Sequence, residues 1–362
     1  MQHKEPSPAL KAVLKPLHDK LQKAVELELS TIPPYLTAMF SLFPRKNREA
    51  ASIIRSVFME EMLHMLLAAN VFNAVGGTVK LGEAQVPGYP LRLEFEGQNF
   101  KDREFDVNLD AMTKDNLEIF MQIELPDNWN EPQPKQLLTA EVEIPGYTIG
   151  EFYESIKQDL LKLCTDFGEE QVFCGNQSFQ IGEDFYWSGG GKPIVVTDLT
   201  SANHAIDLIV EQGEGANGGL FDGDTQFGQP AEVAHFFRFS ELYYGRSYLP
   251  SDNPKLPPTG PELAVNFEEV YKLKPNCKQS DFAGSSLLAE LNHDFNSRFS
   301  LMLQQLEEGF GGHPKVLYTA IMNGMHGLLE PAFKMVQLPL PNDPKGRHGA
   351  PSFEWVAPQK FS

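Results

Sequence analysis

Two long amphipathic helical patterns at the N-terminus constrain this chain more than any other feature. In the first, Leu10, Val13, Leu14, Leu17, Leu21, Ala24, Val25 and Glu28 recur at steps of three and four, the spacing of one helix face. It predicts a helix from about Ala9 to about Met39, with Pro33-Pro34 expected to kink its far end. The second pattern runs from about Arg48 to Val75 and meets Gly76-Gly77, a common helix ending. Helices this long exceed the average of roughly 11 residues and favour a bundle.

Both stripes carry an acid where only apolar residues belong. Glu28 falls on the line of Leu10, Leu17 and Leu21, whereas Glu26 points away. In the second helix Ile54, Val57, Glu61, His64, Ala68 and Val71 share one sector. A buried, unpaired carboxylate costs several kcal/mol or takes up a proton. Either these acids are satisfied internally by Arg or Tyr, or they bind something cationic.

Glu-x-x-His puts a carboxylate and an imidazole one turn apart, the arrangement by which helical bundles hold a pair of metal ions. The sequence matches it at Glu61–His64, Glu232–His235 and Glu290–His293, where chance predicts about one match. Facing separates them. Glu232 groups with Phe236, Phe239 and Tyr243, with His235 at the flank, whereas His293 points away from the face of Leu288, Leu291 and Phe295. Glu290–His293 therefore reads as a surface pair. A fourth carboxylate is expected ahead of Ala231, and Glu211 and Glu214 both qualify within IVEQGEG.

The rest of the chain surrounds this bundle. Residues 78–200 read as an insertion, with loop and short strand around LRLEFEG and a short helix from about Thr113 to Glu124. Loop at 127–146, a helix from about Ile149 to Cys164, and a β-hairpin between Gln171 and Val196 complete it. Helical patterning returns at Ser201–Gln212 and Ala231–Tyr244, and an additional pair of helices falls within 285–336. With no repeat or low-complexity linker, a single domain spanning 1–362 is expected.

Other features weigh less. Glu124 lies on an inner line with Leu117, Phe120 and Met121; capping or an internal ion pair is the expectation, and an extra ligand the alternative. Tyr35, Tyr153 and Tyr243 are expected to pack near the core, where a hydroxyl can also reach a ligand. Arg238, three residues after His235, is placed to neutralise a buried Glu. GGGK at 189–192 lacks the spacing of a phosphate loop and reads as a turn.

Several of these blocks, in order, resemble a known family. ELSTIPPYL (28–36), EEMLHMLLAANVFNAVGG (60–77), IELP (123–126), TIGEFYESI (148–156), IVEQGEGA (209–216), EVAHFFRF (232–239) and APSFEW (350–355) look like the ferritin-like di-metal carboxylate family. The similar branch is the one associated with iminophenyl-pyruvate dimer synthases, oxidative enzymes of bisindole pathways. The resemblance implies a mainly α, ferritin-like four-helix bundle with Glu28, Glu61, His64, Glu232 and His235 as metal ligands. It favours Glu214 over Glu211 for the remaining acid.

Four carboxylates and two imidazoles nearly neutralise two divalent ions and leave coordination positions open. Mixed oxygen and nitrogen donors suit iron, with manganese as the alternative. The expected activity is a non-haem dinuclear iron oxidase or oxygenase that uses O2 on a small organic molecule in specialised metabolism. A ferroxidase or iron-binding protein, and a non-catalytic helical protein with a satisfied polar core, are the rivals. The formal charge of −19, with 49 acidic against 30 basic residues, argues against nucleic acid and anionic membranes as partners. Three cysteines and the lack of a signal-like N-terminus lead to an expectation of a cytoplasmic protein.

Overall fold

The structure, a computed structural model, describes residues 8–93, 105–126, 148–187, 189–223 and 232–357. The loop expected at 127–146 lies outside them.

Helices α1 (Pro8–Phe40) and α2 (Arg48–Ala74) form an extensively packed pair. A short antiparallel pair, β1 (Leu91–Leu93) and β2 (Phe105–Val107), precedes α3 (Lys114–Ile123). Then come α4 (Ile149–Phe167), the single turn α5 (Glu169–Val172), α6 (Leu199–Glu214) and α7 (His235–Tyr244). The C-terminal layer is α8 (Ser286–Phe310), the turn α9 (Val316–Thr319), a π-helical segment at Ala320–Met325, and α10 (His326–Met335).

Packing closes a ring of four. Helix α1 packs on α2, α2 on α6, α6 on α4, and α4 back on α1. The short α3 and α7 lie against each other, and α7 packs on α2 and α6. One wall of the quartet, α4, thus comes from within residues 78–200. The quartet's fourth long element is α4, whereas the expected one, Ala231–Tyr244, forms a helix of 10 residues beginning at His235.

Pro33 and Pro34 stand inside α1, which continues to Phe40. A proline removes the hydrogen bond to the carbonyl four residues earlier, so Pro34 leaves the Ser30 carbonyl without its helical donor. The Tyr89 hydroxyl donates to it at 2.7 Å. Nearby, Ser30 Oγ donates to the Leu27 carbonyl. A side chain thus supplies at Ser30 what Pro34 removes. Helix α2 stops where glycine permits: Gly76 has φ +80°, and the N–H groups of Gly76 and Gly77 return to the carbonyls of Asn73 and Phe72. Threonine caps begin α3 and α4, with Thr113 accepting from the Asn116 N–H and Thr148 from the Glu151 N–H.

The segment from 171 to 196 is not a β-hairpin. Its described residues form α5, two 3-10 turns and loop. Side-chain amides take the place of a ladder. Asn70 Nδ2 donates to the carbonyls of Ile181 and Ile194 and Asn70 Oδ1 accepts from the Ile181 N–H, while Gln180 Oε1 accepts from the Val196 N–H. This segment is therefore pinned to α2 through Asn70 and tied to itself through the Gln180 side chain rather than by a ladder.

Candidate metal centre

Six elements deliver polar side chains to one buried spot between the helices. Glu28 and Tyr35 come from α1, Glu60, Glu61 and His64 from α2, and Glu124 from the C-cap of α3. Tyr153 comes from α4, Gln212 from α6, and His235 opens α7. All of them are buried.

Three carboxylates share one design. Each has one oxygen held by a hydroxyl donor: Glu28 by Tyr153 at 2.5 Å, Glu61 by Thr31 at 2.7 Å, and Glu124 by Tyr35 at 2.6 Å. The other oxygen of each faces an imidazole. Glu28 Oε2 lies 3.5 Å from His64 Nδ1, and Glu124 Oε2 lies 3.6 Å from His235 Nδ1. Glu61 is shared: its Oε1 lies 3.8 Å from His64 Nδ1 and 2.8 Å from His235 Nδ1. The two rings stack with centroids 5.3 Å apart.

The outward nitrogens are equally constrained. His64 Nε2 meets Gln212 Oε1 at 2.9 Å, and Gln212 Nε2 donates to the Gly190 carbonyl at 3.0 Å. With the amide nitrogen committed to Gly190, the oxygen faces His64, and His64 Nε2 must be the donor. His235 Nε2 meets Glu60 Oε2 at 2.8 Å, and a carboxylate also accepts. Both imidazoles thus carry N–H outward and leave Nδ1 as the inward atom, the one a metal would take once any proton on it is lost.

Electrostatics agree. Glu60 is held below its ordinary pKa: burial pushes it up, but the Arg238 guanidinium 3.0 Å away and His235 outweigh that. Glu61 is pushed up to about 7, first by burial and then by the Glu124 charge. Burial pulls both imidazoles down, yet the surrounding carboxylates win; His64 is raised and His235 is raised well above its ordinary value. Tyr35 and Tyr153 are pushed well above theirs by burial and the nearby carboxylates, so they remain hydroxyl donors.

The inward atoms fit a cation. Glu61 Oε1 and His235 Nδ1 are buried, and among the described residues neither has a hydrogen-bond partner of acceptable alignment, although they lie 2.8 Å apart. Two lone pairs at that distance repel unless a proton or a cation sits with them. Ligand atoms of Glu61, His64 and His235 all lie within 4.8 Å of one another.

The other residues singled out from the sequence sit elsewhere or differently. Glu232 is not one helical turn ahead of His235. Residues 232–234 are extended, bridged to the strand-like 220–222 through the Asp222 N–H to the Glu232 carbonyl and the Ala234 N–H to the Leu220 carbonyl. Its side chain is 61% exposed and pairs with Arg238 at 3.0 Å, so the helical spacing argument does not apply to it. Glu214, the last residue of α6, is buried, and its Oε1 accepts from the Gly150 N–H in the first turn of α4. Glu211 is half-buried on the same helix, beside Gly223. Tyr243 donates to Glu118, away from the imidazoles. Arg238 bridges Glu60 and Glu232.

Sequence reasoning missed Glu60, Thr31 and Gln212; Glu124, expected as a cap or in an internal ion pair, is the C-cap of α3 and lies 3.6 Å from His235. The glycines held a clue. A Cβ on Gly213 would come within 3.2 Å of Glu124 Oε2, and one on Gly190 within 3.0 Å of the Glu60 backbone, so both mark close approach to this centre.

Comparison with known proteins decides the family. The ferritin-like family model matches residues 21–244, which is more than half of the chain. The chain belongs to the ferritin-like family. It is 26% identical over 327 residues to dichlorochromopyrrolate synthase of Lentzea aerocolonigenes, covering 82% of this chain and 29% of that protein. It is also 26% identical over 364 residues to 2-imino-3-(indol-3-yl)propanoate dimerase of Chromobacterium violaceum, covering 92% of this chain and 33% of that protein. The chain therefore spans about a third of the length of these curated relatives. The crystal structure of a ferritin-like protein from Caulobacter vibrioides superposes with a TM-score of 0.59 at 20% identity, over 90% of this chain and 96% of that one, and shares the ferritin-like fold. Among the described residues, no helix is long and apolar enough to cross a membrane.

Proposed function

We propose that this ferritin-like chain is an oxidative enzyme of specialised metabolism whose centre holds two non-haem iron ions, with manganese as the alternative metal. The observation that carries this reading is the position of Glu61, shared between two imidazoles whose Nδ1 atoms both face it. Glu28, Glu61 and His64 would hold one ion, and Glu61, Glu124 and His235 the other. Redox-active ions held there would supply electron transfer between O2 and an organic substrate.

The chain's own residues supply the rest. Tyr153, Thr31 and Tyr35 each occupy one carboxylate oxygen, so the other is aimed inward. Gln212 and Glu60 fix the imidazole tautomers, and Arg238 neutralises Glu60. The rings of Tyr35, Phe120 and Phe239 meet with centroids 4.6–5.1 Å apart and keep water from the Glu124 side. The relatives' names, one bearing an indolyl propanoate, support an aromatic organic acid as the substrate class.

Anaerobic titration of metal-free protein with Fe2+, followed by exposure to O2, tests this reading. Saturation at two ions per chain with O2 consumption is expected. Saturation without O2 consumption would overturn the oxidative assignment, and failure to bind iron or manganese would overturn the metal centre.

A further inference from the structure

A second site lies outside the metal centre. One step along each helix from residues of that centre, Leu29 follows Glu28, Ile32 follows Thr31, Met62 follows Glu61, and Met65 follows His64. A single step turns the helix by about 100°. These four residues therefore face a flank of the α1–α2 pair, level with the metal centre but a quarter-turn from it. There they line a cavity of about 60 Å3 closed by the C-terminal layer and the turn at 183–185. None of the residues facing the imidazoles lines it.

The chemistry of its wall is uniform. Four methionines, Met62, Met65, Met302 and Met325, contribute thioethers. Five rings, those of Phe58, Phe185, Tyr186, Phe299 and Phe310, supply faces and edges. The remaining lining is aliphatic, and the one hydroxyl, of Tyr186, donates to the Gly189 carbonyl at 2.7 Å. Nothing there can receive a charge. Sulfur and ring edges both favour an aromatic guest.

The wall is also built to yield. The π-helical segment Ala320–Met325 supplies Ala320, Ile321 and Met325 to the lining. Such segments interrupt a regular ladder and recur at functional sites. Gly324 lets this wall approach so closely that a Cβ would lie 2.7 Å from the Met302 side chain. Dry cavities that take benzene are roughly 150 Å3, so this one must widen, and methionine side chains with three rotatable bonds are suited to that. Beside it, Trp187 and Tyr318 meet edge to face at 5.3 Å, and both are exposed, at 43% and 51%. Phe185, which lines the cavity, contacts Trp187 at 6.4 Å. Aromatic surface thus runs from solvent to the interior.

We propose that this cavity is a binding site for a small uncharged aromatic molecule, separate from the metal centre. Its lack of polar partners excludes carboxylated rings, which distinguishes it from a site for an aromatic acid. The proposal stands whether or not the centre carries metal.

Fluorine NMR of fluorobenzene and 4-fluorobenzoate with the full-length protein tests it. Saturable line broadening of fluorobenzene is expected, with at least tenfold weaker binding of 4-fluorobenzoate. Met325→Trp should fill the cavity and weaken fluorobenzene at least tenfold while iron binding is unchanged. Leu306→Trp, on α8, provides a second filled variant should the first not fold. Absence of saturable broadening, equal binding of the benzoate, or undiminished binding in the folded filled variants would overturn the proposal.

Discussion

Glu61 Oε1 and His235 Nδ1 face each other at 2.8 Å in the buried interior, too close for two unprotonated atoms without a cation between them. Without metal the pair must hold a proton, and the upward displacement of both groups expresses that. A metal ion has to displace it.

Metal affinity should therefore rise with pH. Glu61, pushed up to about 7, is largely protonated at pH 6 and largely ionised at pH 8. Calorimetric titration with Mn2+ should show tighter binding at pH 8 than at pH 6, by about tenfold or more, with protons released on binding. Equal affinity at the two values would contradict the site.

Stability of the metal-free protein should run the other way. A buried acid with a raised pKa binds protons more tightly folded than unfolded, so its contribution is present at low pH. It is lost as pH rises from the ordinary value of 4.5 through about 7. The raised imidazoles act in the same direction, above their ordinary 6.5. Glu61→Gln removes the Glu61 part, so the fall in denaturation midpoint between pH 5 and pH 8 should be smaller in that variant. An undiminished fall would contradict this assignment.

Glu124 and Glu232 make a direct comparison. Glu124→Ala removes a buried carboxylate facing His235 and should lower metal content per chain. Glu232→Ala removes an exposed side chain whose tip pairs with Arg238, and should leave metal content unchanged. Elemental analysis of both variants checks this; the reverse order would restore Glu232 as a ligand.

The physics behind that contrast also explains which parts were legible. Glu28, Glu61 and His64 lie inside helices of 33 and 27 residues, where the 3.6-residue period sets facing reliably. Glu232 lies three residues before a helix end, and an extended bridge to 220–222 replaces the turn that its spacing assumed. Glu60 shares a helix with Glu61, and only the fold brings His235, 175 positions away, to its side. The false hairpin at 171–196 has a similar origin. Glycines and alternating residues are visible in sequence, but the amides of Asn70 and Gln180 that satisfy that backbone are not.

The glycine turn at 189–191 should matter to the metal. Gly190 has φ +88°, its carbonyl orients Gln212, and a Cβ would lie 2.7 Å from Glu60 Cγ. Gly190→Ala should weaken metal binding by about 10- to 100-fold, the usual effect of disturbing groups that orient a ligand. Metal titration of the folded variant reads this directly, and wild-type affinity would contradict an orienting role for the turn.

Glu61 stands at the junction of both halves, so its removal is the most direct test of the centre. Elemental analysis of wild-type protein and Glu61→Ala, each reconstituted with Fe2+ and desalted, should give two irons per chain for the wild type and close to none for the variant. Two irons retained by folded Glu61→Ala, or none in the wild type, would contradict a dinuclear centre built on this residue.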